Sequence, residues 1–112
     1  MAATDHGLEI IQRDAGDWTI VSVRGEVDLS TTPQLREALT TAAGSGSAVA
    51  VDVREVPFMD SMGLGVLVGA RRRAGESGTG FALISDGGPI IRLLDVSGLG
   101  TMFRVVSDEG EL

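Results

Sequence analysis

From Trp18 onward the chain alternates short aliphatic or β-branched runs with stretches of helical periodicity, and that alternation restricts it to a layered α/β fold. Trp18–Arg24, 48–53, Phe81–Ile84 and 103–106 read as strands. In 48–53, Val49, Val51 and Val53 fall on one face and Ala48, Ala50 and Asp52 on the other, as befits a strand between packed layers. Leu35, Ala38, Leu39 and Ala42 recur at i, i+3, i+4 and i+7. Thr32 as N-cap, Pro33 at the first helical position and Gly44 just past the end sign both termini of that first helix. A second helix is expected over about 62–74. Its Gly63, Gly65 and Gly69 each lower helix propensity by about 1 kcal/mol relative to alanine, which calls for a reason. Packing is the reason favoured for Gly69 and access by a partner for Gly63. A loop over 75–80 follows. Gly88-Pro89 opens a third helix with Ile90, Ile91, Leu93 and Leu94 inward, and Gly98 ends it.

An additional strand over 8–13 joins Trp18–Arg24 through Asp14-Ala15-Gly16-Asp17, a hairpin turn, so this first pair is antiparallel. The later crossovers are expected to be right-handed. With the strand order advancing one way, they place the helices on one face of a mostly parallel mixed sheet. Ser107-Asp108-Glu109 carries the start signal of a final helix.

At 112 residues the chain is expected to form a single domain over 1–112, with its core within about 8–106. No run approaches the ~18 apolar residues of a membrane span, and the N-terminus lacks the basic and apolar regions of a secretory signal, so a cytoplasmic protein is expected. Cysteine is absent, which removes disulfides, thiolate metal sites and thiol nucleophiles. All nine basic residues are arginine, so no P-loop, Schiff-base or general-base lysine exists. The net charge of −7 repels nucleic acid. The one basic cluster, Arg71-Arg72-Arg73, is accounted for at this stage as cations offsetting the dipole at a helix C-terminus.

Candidate chemistry concentrates at Asp60-Ser61-Met62-Gly63-Leu64, where a strand-like run meets the second helix. Ser61 reads as the N-cap of that helix, with its hydroxyl at the surface within reach of a kinase. A phosphate there would lie on the positive end of the helix. The alternative is a cap and nothing more, contributing about 1 kcal/mol. Gly63-Leu64-Gly65 followed by Gly69 gives G-x-G-x-x-x-G, one residue off the dinucleotide fingerprint. A hydrolase reading fails because Ser61 is not in a G-x-S-x-G context and the sole histidine, His6, lies in the N-terminal tail. Scattered acids without thiolates or a second histidine make no metal site. No catalytic residue and no cofactor are therefore expected. Asp28 follows the second strand in a tight turn, where it can support the turn or the cap of the first helix.

Three segments together resemble the STAS domain of bacterial anti-sigma factor antagonists: Gly25-Glu26-Val27-Asp28, Phe58-Met59-Asp60-Ser61-Met62-Gly63-Leu64-Gly65, and Leu93-Leu94-Asp95-Val96-Ser97-Gly98-Leu99. The resemblance spans most of 8–106. It implies that Ser61 is the phosphorylated serine, that the acid at Asp28 lies close to it, and that Glu26, Asp28, Asp60, Ser61, Met62, Gly63 and Leu64 belong to the surface meeting the partner. It further implies partner switching. The unphosphorylated protein would bind an anti-sigma factor with serine-kinase activity and free the sigma factor. Phosphorylation of Ser61 would end that binding, and a PP2C-type phosphatase would reset it. ATP and Mg²⁺ belong to the kinase. Met62 departs from the small or hydroxylated residue many relatives carry, and relatives often continue with a final helix. The rival reading is a constitutive STAS interaction module, a scaffold or transporter-associated subunit without a phospho-switch.

Overall fold

The computed structural model describes residues 7–112; His6 lies outside them. Five strands form one sheet in the order β1-β2-β3-β4-β5, with β1 (Glu9–Ala15), β2 (Trp18–Arg24), β3 (Ala48–Glu55), β4 (Phe81–Ile84) and β5 (Arg104–Val106). β1 runs antiparallel to β2, and all later pairs are parallel. The hairpin is tighter than the sequence suggested. Ala15 pairs with Trp18, leaving Gly16 and Asp17 as a two-residue loop, and Gly16 takes the positive φ of 65° that such loops need at their first position. The three helices are α1 (Thr32–Ala43), α2 (Ser61–Ser77) and α3 (Pro89–Val96).

The period-2 pattern of β3 separates two apolar layers. Val49, Val51 and Val53, with Val21, Val23 and Leu83 beside them, meet Leu35 and Leu39 of α1, Leu64 and Leu67 of α2, and Ile90 and Leu94 of α3 in one cluster. All three helices therefore lie on one face of the mixed sheet. Each fully buried aliphatic side chain contributes roughly 1.5–3 kcal/mol relative to exposure. The opposite face carries a smaller cluster of Ile20, Ala50, Ile84 and Val106, against which Trp18 and Leu112 pack.

The covering of that second face comes from the end of the chain. The expected final helix is a single 3-10 turn, Glu109–Glu111, whose Gly110 N–H is accepted by the Asp108 side chain at 2.7 Å. Glu109 forms an ion pair with Arg13, and Arg104 donates to the Glu111 carbonyl at 3.0 Å while lying 5.7 Å over the Trp18 ring. Among the described residues no helix is long and apolar enough to cross a membrane.

Several boundaries differ from expectation for local reasons. α1 starts one residue earlier, with Thr31 rather than Thr32 at the N-cap position and no side-chain cap bond. The Thr32 N–H is already inside a turn closed on the Asp28 carbonyl at 2.8 Å, and the Thr31 hydroxyl donates to the Glu26 carbonyl at 2.8 Å. α2 extends a turn past Ala74 to Ser77, absorbing Gly75, and stops only at Gly78, whose φ of 74° supplies the left-handed C-cap. β5 begins at Arg104, because Phe103 turns into the core against the Phe81 ring, 6.2 Å between centroids.

Candidate functional site

The loops leaving β2 and β3 are laced together before either reaches its helix. Gly25 N–H donates to Glu55 O (3.2 Å), Val27 N–H to Phe58 O (2.9 Å) and Asp60 N–H to Val27 O (3.0 Å), making a parallel bridge between Val27 and Met59. Both bridge residues are buried. Bridged backbones run about 5 Å apart, so Asp28 and Asp60, each next after the bridge, follow adjacent backbones beyond the C-terminal ends of β2 and β3.

The bridge also decides how α2 starts. Because its N–H is held by Val27, Asp60 stays extended, with φ −92° and ψ −177°, and its side chain accepts from Met62 N–H (3.0 Å) and Gly63 N–H (3.1 Å). Asp60 is therefore the N-cap, and the expectation that Ser61 fills that role is corrected: Ser61 is the first helical residue. Its side chain is exposed, and its hydroxyl has no hydrogen-bond partner among the described residues. The Leu64 N–H closes on the Asp60 carbonyl at 3.1 Å, so the amides of Met62, Gly63 and Leu64 are all occupied.

Asp28 is tied into its own loop. One carboxylate oxygen accepts from the Ser30 hydroxyl (2.7 Å), the Ser30 N–H (3.0 Å) and the Thr31 N–H (3.2 Å), while the Asp28 N–H donates to the Thr31 hydroxyl (2.9 Å). The Ser30 hydroxyl bond, together with the Ser30 and Thr31 amides, outweighs the opposing desolvation and holds the carboxyl below its usual value. Support of the turn is thus an observed role of Asp28. Its second carboxylate oxygen makes no bond among the described residues and remains available to a partner. Glu26 is exposed on the same loop.

The remaining residues of the sequence-derived set divide by burial. Met62 is 46% exposed, but Leu64 is 7% exposed and belongs to the core. Gly63 is buried, and a Cβ there would lie 2.5 Å from Val27 Cγ1 and 2.8 Å from Met59 Cγ. Packing, rather than partner access, is therefore the reason for Gly63; Gly69 is buried as well, and a Cβ there would meet Arg73 Nη1 at 3.5 Å.

Sequence reasoning missed two apolar contributors, Leu29 (69% exposed) and Phe58 (49% exposed), which stand on the two laced loops. Phe58 also lines a shallow hollow with Pro57, Pro89, Leu93 and Val96 of the α3 side. A large apolar residue between Asp28 and Ser30 in a polar turn was the available signal for Leu29. Exposed apolar side chains gathered around a polar centre mark a macromolecular contact surface.

Comparison with known proteins shows the family and the fold. The model of the STAS domain family matches residues 9–112. The anti-sigma-B factor antagonist of Listeria monocytogenes is 34% identical over 106 residues, covering 94% of this chain and 92% of that protein. The crystal structure of an anti-sigma factor antagonist from Mycobacterium paratuberculosis superposes with a TM-score of 0.86 at 27% identity, over 99% of this chain and 94% of that one. The antagonist SpoIIAA in its unphosphorylated form shares the fold, with a TM-score of 0.69 at 21% identity over 93% and 91% of the two chains. The chain thus belongs to the STAS-domain family of anti-sigma factor antagonists, regulatory binding proteins rather than enzymes.

Proposed function

We propose that this protein works in the cytoplasm as a phosphorylation-switched antagonist. Unphosphorylated, it binds an anti-sigma factor with serine-kinase activity and so releases a sigma factor; that kinase phosphorylates Ser61 and thereby ends the binding; a PP2C-type phosphatase restores it. The observation that carries the reading is a hydroxyl with no partner among the described residues, exposed at the first residue of α2 and followed by the exposed Met62. A serine kept only for capping would have its oxygen on a backbone amide, and here Asp60 does that work.

The same geometry gives the switch a physical basis. A phosphate on Ser61 adds about −1.5 to −2 charges at pH 7. The positive end of α2 favours it, but the amides of Met62, Gly63 and Leu64 are already taken. The phosphate is therefore left beside the carboxylates of Asp60 and Asp28, projecting into the contact surface. Repulsion and desolvation there amount to roughly 1–3 kcal/mol after screening, about a ten- to hundredfold loss of affinity. Incubation with ATP and the cognate anti-sigma kinase is expected to label the wild type and spare Ser61→Ala. Equal labelling of the two proteins refutes the assignment, and undiminished binding by the labelled protein returns the chain to a constitutive interaction module.

A further inference from the structure

On the far side of Met62 from Phe58, the groove between α1 and α2 holds charge that the phospho-switch leaves unused. Arg36 forms one wall of this hollow of about 320 Å³, Arg72 and Arg73 close its far end, and Met62 and Val66 lie along its floor with Gly65 and Gly69. Arg13, Arg24 and Arg54 are each paired with acids, whereas the three groove arginines make no ion pair among the described residues. The helix dipole does not account for Arg72 and Arg73 either, because α2 continues to Ser77 and its last turn holds no basic residue. In a chain of net charge −7 these cations form a local patch of the opposite sign. With a screening length of about 8 Å at physiological salt, such a patch acts on what touches it.

The floor adds an independent sign. A Cβ at Gly65 would meet nothing within 4 Å, and at Gly69 only the movable end of Arg73. The interior of the protein requires neither glycine, yet each weakens the helix by about 1 kcal/mol relative to alanine. Gly65 is exposed and leaves bare backbone on the groove, where another chain can approach closely, and the buried Gly69 lies one turn further along.

We propose that this groove docks an acidic segment of the anti-sigma factor, its carboxylates meeting Arg36 on the α1 side and Arg72 and Arg73 on α2, with an apolar side chain on Met62 and Val66. From Met62 to Arg72 α2 rises about 15 Å, which an extended segment of about five residues spans. The occupant is a peptide segment rather than a polyphosphate, because the overall charge repels a long polyanion and the apolar, glycine-bared floor fits side chains and backbone. The inference rests on the reading of the chain as an anti-sigma factor antagonist, and Met62 joins the two surfaces, lying next to Ser61 and lining the groove.

Calorimetric titration of the full chain with the cognate anti-sigma kinase tests it. The triple variant Arg36→Glu, Arg72→Glu, Arg73→Glu is expected to bind at least about tenfold more weakly than wild type, with a flatter dependence on salt. Arg71→Glu, which lines the neighbouring hollow instead, is expected to stay within about threefold. A triple Arg→Gln variant with a wild-type urea midpoint gives the same direction if charge reversal disturbs folding. Wild-type affinity in both triple variants, alongside weakened binding by Ser61→Asp, overturns the groove and leaves the switch standing. Weakened triple variants beside an unaffected Ser61→Asp sustain the groove and overturn the switch.

Discussion

Alanine at Gly63 and alanine at Gly65 are expected to move stability in opposite directions although both sit in the first turns of α2. At either position the added methyl recovers up to about 1 kcal/mol of helix propensity. At Gly65 the Cβ meets nothing within 4 Å, so that gain is the whole effect. At Gly63 it lies 2.5 Å from Val27 Cγ1 and 2.8 Å from Met59 Cγ. Both are buried, and the β-branched Val27 has little rotameric room to retreat. Overpacking of this kind costs roughly 1–3 kcal/mol, for a net loss of up to about 2 kcal/mol. Val27 and Met59 are the bridge itself, so the loss falls on the joint between the two loops. Urea unfolding monitored by circular dichroism measures both variants; with unchanged m-values, the midpoint should rise for Gly65→Ala and fall for Gly63→Ala. Equal shifts of the same sign would refute the packing account of Gly63.

Asp60→Ala is expected to lose about 1 kcal/mol of stability by removing the acceptor of two amides, and Asp60→Asn only a fraction of that, read from thermal midpoints. Ser61→Ala should stay within about 0.5 kcal/mol of wild type in the same assay, since the hydroxyl contacts nothing inside the protein. Acid should destabilise the fold in a defined window. Ser30 bonding holds Asp28 low; in Asp52 burial pushes upward but Arg54 outweighs it; Arg13 bonding holds Glu109 low. Carboxyls depressed in the folded state contribute fully above their ordinary values of 3.8 and 4.5, and that contribution is lost as pH falls through the lower folded values. Urea midpoints should therefore stay level down to about pH 5 and then decline, less steeply for Asp52→Asn.

The strands and the faces of the helices were readable because they depend on local periodicity: Val49, Val51 and Val53 show their side of β3 in the sequence itself. The cap of α2 was displaced by one residue because Asp60 and Ser61 are chemically equivalent candidates. The choice belongs to the hydrogen bond from Asp60 N–H to Val27 O, a contact spanning most of α1 and β3 that no local pattern contains. Gly63 was misjudged for the same reason, since its neighbours Val27 and Met59 come together only in the folded sheet. Leu29 and Phe58 escaped notice because large apolar residues are ordinarily assigned to a core. The likeness to STAS domains supplied the proposed position of the switch, which periodicity and spacing alone left open between cap and phosphosite.

The strand order β1-β2-β3-β4-β5 never reverses, and with the helices on one face no two neighbouring loops part toward opposite sides of the sheet. Open α/β sheets hold their nucleotides and small substrates in the cleft made where loops part in that way. Here the loops after β2 and β3 are joined by backbone hydrogen bonds, so the place where such a cleft would open is closed. A surface closed in this way with exposed apolar side chains suits a protein partner rather than a small molecule. Its outward side chains, Leu29, Phe58 and Met62, can vary without disturbing the stitches beneath them. A fold of this kind can thus acquire a new partner by changing exposed side chains while the backbone that supports them stays as it was.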